Sequence, residues 1–176
     1  MTLAYLAHYT VKDYESWKGD WELIYGAPYA MSPSPGISHQ NLSGEVYYQL
    51  KSALSACVKC NVFFELDWFC LDDTVVRPDI LVACDYSGEK LTKAPELIVE
   101  VVSPSSVQRD ENLKLELYQK EGVKIYIIIY PDIKKAKIYE WVNGQYLKAG
   151  DFFMQTYDFS VLECKAKIDF SKIWSD

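Results

Sequence analysis

Two runs of apolar residues, many of them β-branched, lie close together near the middle of the chain, at residues 75–83 and 97–102. A polar loop that contains Ser87 and Gly88 separates them. Short apolar runs bounded by turn residues are typical of strands that are buried on both faces. We therefore predict two neighbouring strands in the core of the protein.

Each predicted strand carries one carboxylate among its apolar residues, Asp79 in the first and Glu100 in the second. If the strands form an antiparallel hairpin centred between Glu89 and Lys90, Asp79 and Glu100 face each other. Directly opposed residues have Cβ atoms about 4.5–5.5 Å apart, and a divalent cation between two such carboxylates relieves their repulsion. A register shifted by one residue would instead place the two acids on opposite faces.

Two structural alternatives stay open for these acids. Asp79 follows Pro78, and Pro-Asp pairs are common in turns. Glu100 can also form an ion pair with a basic residue of the core, such as Arg77, because a buried carboxylate needs a partner.

The hydrophobic pattern of the rest of the chain predicts helices around a sheet. Leu42, Val46, Leu50 and Leu54 recur every four residues and indicate an amphipathic helix, with Ser38 as its N-cap. His39 then lies in the first turn, where the favoured interpretation is a solvent-exposed residue and the alternative is a contact with an anion or an active site.

Further along the chain, residues 61–71 predict one strand that includes Glu65 and Asp67, and residues 124–130 predict a buried strand. A second helix is expected from Ser105 or Ser106 to about residue 121, with Gly122 directly after it. The chain is thus expected to have an α/β (α+β) fold.

The five cysteines change this picture little. Cys57 and Cys60 form a single CxxC motif, and a zinc site would need two more ligands at suitable spacing. Cys70, Cys84 and Cys164 are scattered singly. Packing at the end of a helix is the favoured interpretation of the motif, and a disulfide framework is not expected.

Composition limits the possible classes of protein. A chain of 176 residues with 49% hydrophobic residues is long enough for a sizeable core, and we predict one domain over residues 1–176. No apolar run is long enough to span a membrane, and residues 1–5 lack the features of a signal peptide. A cytoplasmic protein is expected.

The net charge of −7 argues against a dominant basic surface for nucleic acid, although a local groove can still be basic.

Several short motifs follow one another in an order and spacing that resemble a known family. They are RPDI at 77–80, PELIVEVVSPSS at 95–106, WELIYG at 21–26, MSP at 31–33, SHQ at 38–40, and Asp110, Lys114, Tyr118, Gly122-Val123, Tyr126 and Pro131-Asp132. Together they resemble the Uma-type endonuclease family, a branch of the PD-(D/E)xK restriction-endonuclease-like superfamily. The resemblance covers about residues 20–132.

This resemblance implies a mixed central β-sheet flanked by helices and a divalent metal, Mg²⁺ or Mn²⁺, held by Asp79 and Glu100. In the superfamily a lysine stands two residues after the second acid, where this chain has Val102. The family pattern implies that Lys114, on the following helix, takes the place of that lysine. Glu22 is implied as a further acidic residue of the site.

The first functional hypothesis is therefore a metal-dependent endonuclease that hydrolyses phosphodiester bonds in DNA. The alternative is a catalytically inactive nuclease-fold module for nucleic-acid binding or assembly, which Val102 and the acidic net charge favour. A weaker third hypothesis is a hydrolase or binding protein for small anions.

A homodimer is predicted, because the chain has more Trp and Tyr than one modest core buries and because cutting both strands of a duplex needs two sites.

Overall fold

A computed structural model of the chain describes residues 7–31, 35–159 and 164–174. The strands within these ranges are β1 Trp21–Ile24, β2 Ala27–Ala30, β3 Cys60–Phe64, β4 Trp68–Leu71, β5 Thr74–Val76, β6 Ile80–Cys84, β7 Leu97–Val101, β8 Ile125–Tyr130, β9 Lys135–Val142, β10 Gln145–Phe152, β11 Thr156–Phe159 and β12 Ala166–Asp169. The helices are α1 Val11–Tyr14, α2 Ile37–Ala53, a π-helix Arg109–Lys114, α3 Leu115–Lys120, and two 3-10 turns at Pro131–Ile133 and Phe170–Lys172.

The central sheet contains six strands in the order β10-β9-β8-β7-β6-β3. Strands β7 and β8 are parallel, whereas the other neighbours are antiparallel. The fold is therefore α+β with a mixed central sheet, as the sequence predicted. Every residue of β6 and β7 is buried, which explains why both strands are apolar along their whole length.

Alternate residues of the central strands pack into two cores, one on each face of the sheet. Val82 and Val99 contribute to the core that includes α2, while Leu81 and Ile98 contribute to the core that includes Leu117 of α3. Side chains alternate between the faces of a strand. Glu100 therefore lies on the same face as Ile98, towards the helical segment that follows β7.

Helix α2 packs on the sheet through Leu42, Val46 and Leu50, three of the four side chains that the periodicity predicted. The fourth, Leu54, directly follows the helix, and all four are buried. The helix begins earlier than expected. Gly36, and not Ser38, occupies the N-cap position, because its backbone is extended, with φ −68° and ψ 172°. Ser32 and Pro33 of the MSP motif, like residues 1–6, lie outside the described ranges.

A second sheet, in the order β2-β1-β5-β4, stands beside the central one. The sequence predicted a single strand over residues 61–71, and this prediction was wrong. Glu65 adopts a left-handed backbone with φ 43°, which ends β3, and the chain then enters β4 in the other sheet. This break places β1, and with it Glu22, beside the end of the central strands.

The helix predicted after β7 is present, but its first part has a different geometry. Two helical residues, Val107 and Gln108, directly follow Ser106, one of the two serines expected as N-cap. Residues 109–114 then form a π-helix, and α3 continues from it. π-Helices often occur at functional sites. Here Asp110 and Lys114 of the π-helix and Leu117 and Tyr118 of α3 all face the interior and are buried.

Four cysteines that lie far apart in the sequence meet in the structure. Cys57 is bonded to Cys164, and Cys60 is bonded to Cys84. The expectation that the cysteines stay single was therefore wrong. The reason is that Cys60 and Cys84 are direct partners in the β3–β6 pair, while the C-terminal hairpin β11–β12 packs beside α2.

Among the described residues, no helix combines the length and the apolar character that crossing a bilayer requires.

Candidate active site

Asp79 and Glu100 lie side by side, because β6 and β7 have the register that the sequence predicted. Ile80 pairs with Val99 in this antiparallel pair. Asp79 directly precedes Ile80, and Glu100 directly follows Val99, so that the same register places the two acids opposite each other. The N–H of Val101 donates to Oδ2 of Asp79 at 2.7 Å. This hydrogen bond holds the carboxylate of Asp79 against β7.

Lys114 is buried and contacts several acids at once. Its ammonium Nζ lies 2.8 Å from Oε1 of Glu100 and 2.7 Å from Oε1 of Glu22. Oδ1 of Asp110, one turn earlier, lies 3.7 Å from the same atom. Tyr118 completes the cluster by donating its hydroxyl to Oε1 of Glu100 at 2.8 Å. The basic residue that forms an ion pair with Glu100 is therefore Lys114. Arg77, the partner considered from the sequence, forms ion pairs with Asp20 and Asp67 instead.

Glu22 enters the cluster from the second sheet. It lies on β1 and is 1% exposed. Besides its contact with Lys114, its Oε1 accepts a hydrogen bond from the N–H of Arg77 at 2.9 Å, and its Oε2 lies 3.6 Å from Nε of Arg109. Glu22 thus joins both sheets and the π-helix at one point.

The charges of this cluster are unbalanced. Burial raises the pKa of Glu100 well above its usual value, Lys114 acts in the opposite direction, and Asp110, Asp79 and Glu22 raise it further. Burial lowers the pKa of Lys114, but the charges of Glu100, Glu22 and Asp110 outweigh burial and raise it overall. One ammonium group faces an excess of carboxylates, an arrangement that favours a further cation.

His39 reaches this site from the first turn of α2, contrary to the favoured interpretation of an exposed helix end. Its Nε2 lies 3.1 Å from the carbonyl oxygen of Val101 and 3.5 Å from Oδ2 of Asp79. Burial lowers the pKa of His39, but the hydrogen bond and charge of Asp79 outweigh burial, and the net direction is upward. No local pattern in the sequence links His39 to Asp79, because the contact joins separate segments.

Two arginines also border the site, and the sequence indicated neither of them as a site residue. The guanidinium of Arg77 is held by Asp67, at 2.6 Å from its Nε, and by Asp20, at 2.7 Å from its Nη1. Nε of Arg109 is buried and makes no hydrogen bond with the described residues. Since Nε of Arg109 lies 3.6 Å from Oε2 of Glu22, it can still donate a hydrogen bond to a further partner.

These residues line an open cleft with a volume of about 710 Å³. Asp79, Glu100, Lys114 and Glu22 are all part of its wall, and the loop 103–106 after β7 borders it. The hydrogen bonds that orient the acids use Oδ2 of Asp79 and Oε1 of Glu100. Within the described part of the chain, Oδ1 of Asp79 and Oε2 of Glu100 are therefore the atoms that could bind a metal ion. Paired carboxylate oxygens suit Mg²⁺ and Mn²⁺.

A mixed sheet with neighbouring acids at the end of its central strands, and a cleft in front of them, defines a nuclease-like α+β protein. The comparisons with known proteins agree with this class. Residues 11–156 match the model of the Uma2 family, described as "Putative restriction endonuclease". The chain belongs to this family.

A solved structure has the same fold. It is described as a "putative nuclease belonging to DUF820 from Anabaena variabilis ATCC 29413". The two chains are 17% identical, the match covers 94% of this chain and 97% of that chain, and the TM-score is 0.78. A search of curated proteins found no match.

Proposed function

We propose that this protein is a metal-dependent endonuclease that hydrolyses phosphodiester bonds in DNA, within one domain over residues 1–176. The observation that carries the proposal is the position of Asp79 opposite Glu100 at the wall of an open cleft, with the buried ammonium of Lys114 against Glu100. Membership of a family described by restriction-endonuclease activity supports it.

In this proposal Asp79 and Glu100 hold a divalent cation, Mg²⁺ or Mn²⁺. The fit rests on the donors present: two adjacent carboxylates, each with one oxygen that its orienting hydrogen bonds do not use. The excess of buried negative charge around Glu100 supports the same assignment. A bound ion of this kind polarises a phosphoryl oxygen and lowers the pKa of a bound water.

The chain's own side chains have distinct roles. Lys114 keeps its proton, because three carboxylates raise its pKa, and its charge stabilises the negative charge that develops on the phosphoryl group. Glu22 positions Lys114 through the 2.7 Å contact. His39 positions Asp79 and the end of β7. In the PD-(D/E)xK scheme that the resemblance implies, Lys114 takes the place of the lysine that Val102 cannot supply.

DNA is the substrate that the family description supports. The chain as a whole is acidic, with a net charge of −7, and Arg77, Arg109, Lys114 and His39 line the cleft together with seven carboxylates. A divalent cation on Asp79 and Glu100 would add the positive charge that attracts a phosphate group to this acidic cleft. We propose that this activity is cytoplasmic, as expected from the sequence.

The enzyme acts as a homodimer in this proposal, since one cleft per chain cuts one strand and a duplex has two. Among the tryptophans, Trp141 is 37% exposed and could lie in a dimer interface, whereas Trp68 is buried within the chain. Light scattering at high protein concentration is expected to give twice the 20.3 kDa mass of one chain. A particle of one chain's mass at high concentration would contradict the dimer.

A second candidate function is a catalytically inactive nuclease-fold module that binds nucleic acid or serves in assembly. The observation that favours it is the environment of Lys114, whose ammonium contacts only buried acids among the described residues. A lysine so enclosed can be a structural counter-ion. Salt-dependent DNA binding without cleavage would support this candidate.

Plasmid cleavage with Mg²⁺ or Mn²⁺ separates the two candidates. The wild type is expected to convert supercoiled plasmid to nicked or linear DNA, and Asp79→Ala is expected to be inactive. Asp158→Ala is the matched control, because Asp158 is an exposed aspartate on β11 outside the cleft. Equal cleavage by Asp79→Ala and the wild type, or no cleavage by the wild type with either ion, would overturn the endonuclease proposal.

A further inference from the structure

Four of the five cysteines converge at a place that is separate from the cleft. Cys57 follows α2, Cys60 begins β3, Cys84 ends β6, and Cys164 shortly precedes β12. None of them lines the cleft. The remaining cysteine, Cys70, lies on β4 and forms no disulfide. The four cysteines therefore link the end of α2, the β3–β6 pair and the segment before β12. The proposed nuclease chemistry uses none of these cysteines.

The sulfur atoms are closer together than two independent disulfides require. The Sγ atoms of Cys57, Cys60 and Cys164 all lie within 4.8 Å of one another. The Sγ of Cys84 does not belong to this close group, but it is bonded to the Sγ of Cys60. In a tetrahedral zinc site with Zn–S bonds of about 2.3 Å, the sulfurs are about 3.8 Å apart. Three of the four sulfurs therefore already lie near the spacing of zinc ligands, and Cys84, once released from Cys60, is the thiolate next to them.

The pairing of the cysteines points in the same direction. Cys57 and Cys60 form a CxxC motif, the usual spacing for two thiolates that bind the same zinc ion. In the structure each of the two belongs to a different disulfide, so that the motif brings both disulfides to one point. Cys60 and Cys84 are also 3% and 2% exposed, and a closed set of four thiolates is typical of a structural zinc site.

We propose that the reduced protein binds one Zn²⁺ ion through the thiolates of Cys57, Cys60, Cys84 and Cys164. A dithiol or phosphine reductant supplies two electrons to each disulfide, two protons are taken up, and two thiols form. Zinc then displaces the thiol protons as the four Zn–S bonds form. Reducing compartments keep such cysteines as thiols, so that zinc and disulfides are the two states of one site.

The zinc site holds the C-terminal hairpin β11–β12 to the end of α2 and to the edge strand β3. Cys57 and Cys164 are 107 residues apart in the sequence, and binding of an ion to the native state alone stabilises it. This inference does not depend on the proposed function. Its ligands are sulfur atoms, which select zinc, whereas the oxygen ligands of the cleft select magnesium or manganese.

The test uses the full chain, reduced and freed of metal, and Co²⁺ as a spectroscopic substitute for Zn²⁺. One equivalent of Co²⁺ is expected to produce the visible d–d bands of tetrahedral coordination and a thiolate-to-cobalt charge-transfer band, and one equivalent of Zn²⁺ is expected to remove both. Cys57→Ser and Cys164→Ser are expected to weaken Zn²⁺ binding at least about tenfold, which is the lower limit for losing even a group that only supports a ligand.

Two variants serve as controls. Cys70→Ser removes a cysteine that lies elsewhere and is expected to bind Zn²⁺ as the wild type does. Asp79→Asn alters the cleft and is also expected to leave the cobalt spectrum unchanged. The cobalt spectrum of the reduced wild type tests the proposal by itself. The test therefore stays decisive even if a serine variant fails to fold. Absence of the thiolate charge-transfer band in the reduced wild type, or disulfides that resist reduction in the folded protein, would overturn the proposal.

Discussion

The ammonium of Lys114 lies 2.8 Å from the carboxylate of Glu100, although the two residues are 14 positions apart in the sequence. The contact exists because Glu100 faces the helical segment that follows its own strand, and because the π-helix directs Lys114 towards that strand. Glu22 contacts the same ammonium at 2.7 Å. The strongest predictions concern what this ammonium does.

Replacing Lys114 by methionine is expected to lower plasmid cleavage by about 10²–10³-fold, the usual loss when one electrostatic donor is removed from an active site. The variant is also expected to lose about 3–5 kcal/mol of stability, because breaking a buried ion pair leaves uncompensated charge. Lys120→Met is the matched control, since Lys120 is an exposed lysine at the end of the same helical segment. It is expected to be close to wild type in both respects.

The double variant Lys114→Met with Glu22→Gln separates a catalytic from a structural lysine. Removing the charge of Glu22 is expected to restore part of the stability, because fewer buried carboxylates then lack a partner. Cleavage is expected to stay at the level of the single Lys114 variant. Recovery of cleavage together with stability would show that Lys114 acts only as a structural counter-ion.

Divalent ions are expected to stabilise the protein through Asp79 and Glu100. At an ion concentration of 100 times Kd, the gain is about 2.7 kcal/mol for one site in the native state. Thermal unfolding with Mg²⁺ or Mn²⁺ measures it, and Asp79→Asn is expected to abolish the rise in Tm while Asp158→Asn keeps it. If calorimetry detects no ion bound to the wild type at millimolar Mn²⁺, the shared site is wrong.

His39 is expected to support the metal site without binding the metal. Its Nε2 lies 3.5 Å from Oδ2 of Asp79 and 3.1 Å from the carbonyl of Val101, so that it positions both. His39→Ala is expected to weaken Mn²⁺ binding about 10–100-fold, as the loss of groups that support metal ligands does. The control is His8→Ala, which changes the other histidine, an exposed residue paired with Asp73. Equal affinities for the two variants would count against this role.

Asp110 is expected to make stability depend on pH in a defined direction. Burial raises the pKa of Asp110 above 3.8, with Lys114 acting in the opposite direction. The folded state therefore binds the proton more tightly than the unfolded state, and the free energy of unfolding falls as pH rises through the window between 3.8 and the raised pKa.

Asp110→Asn removes this dependence and is expected to raise Tm relative to the wild type at neutral pH, with the advantage shrinking towards acidic pH. Thermal unfolding of both proteins across the pH range measures the difference. A Tm advantage that grows as pH falls would contradict the direction. Asp158→Asn, on the exposed face of β11, provides the reference for an aspartate outside the cluster.

Local patterns in the sequence determined the central part of the site. The apolar runs identified β6 and β7, and the hairpin register assumed for them, centred between Glu89 and Lys90, is the register that the structure has. Side chains alternate between the two faces of a strand with a period of two residues, so that the register of two paired strands decides which side chains are neighbours. For this reason the opposition of Asp79 and Glu100 followed from counting, before any other contact was known.

The tertiary structure decided everything that joins distant segments. The left-handed backbone of Glu65 sends the chain into a second sheet, and this brings Glu22 to Lys114. The packing of α2 brings His39 to Asp79, and the packing of the C-terminal hairpin brings Cys164 to Cys57. Hydrophobic periodicity shows which face of an element is buried but not against which partner. These contacts depend on how layers stack, because side-chain packing between elements has no repeat along the chain.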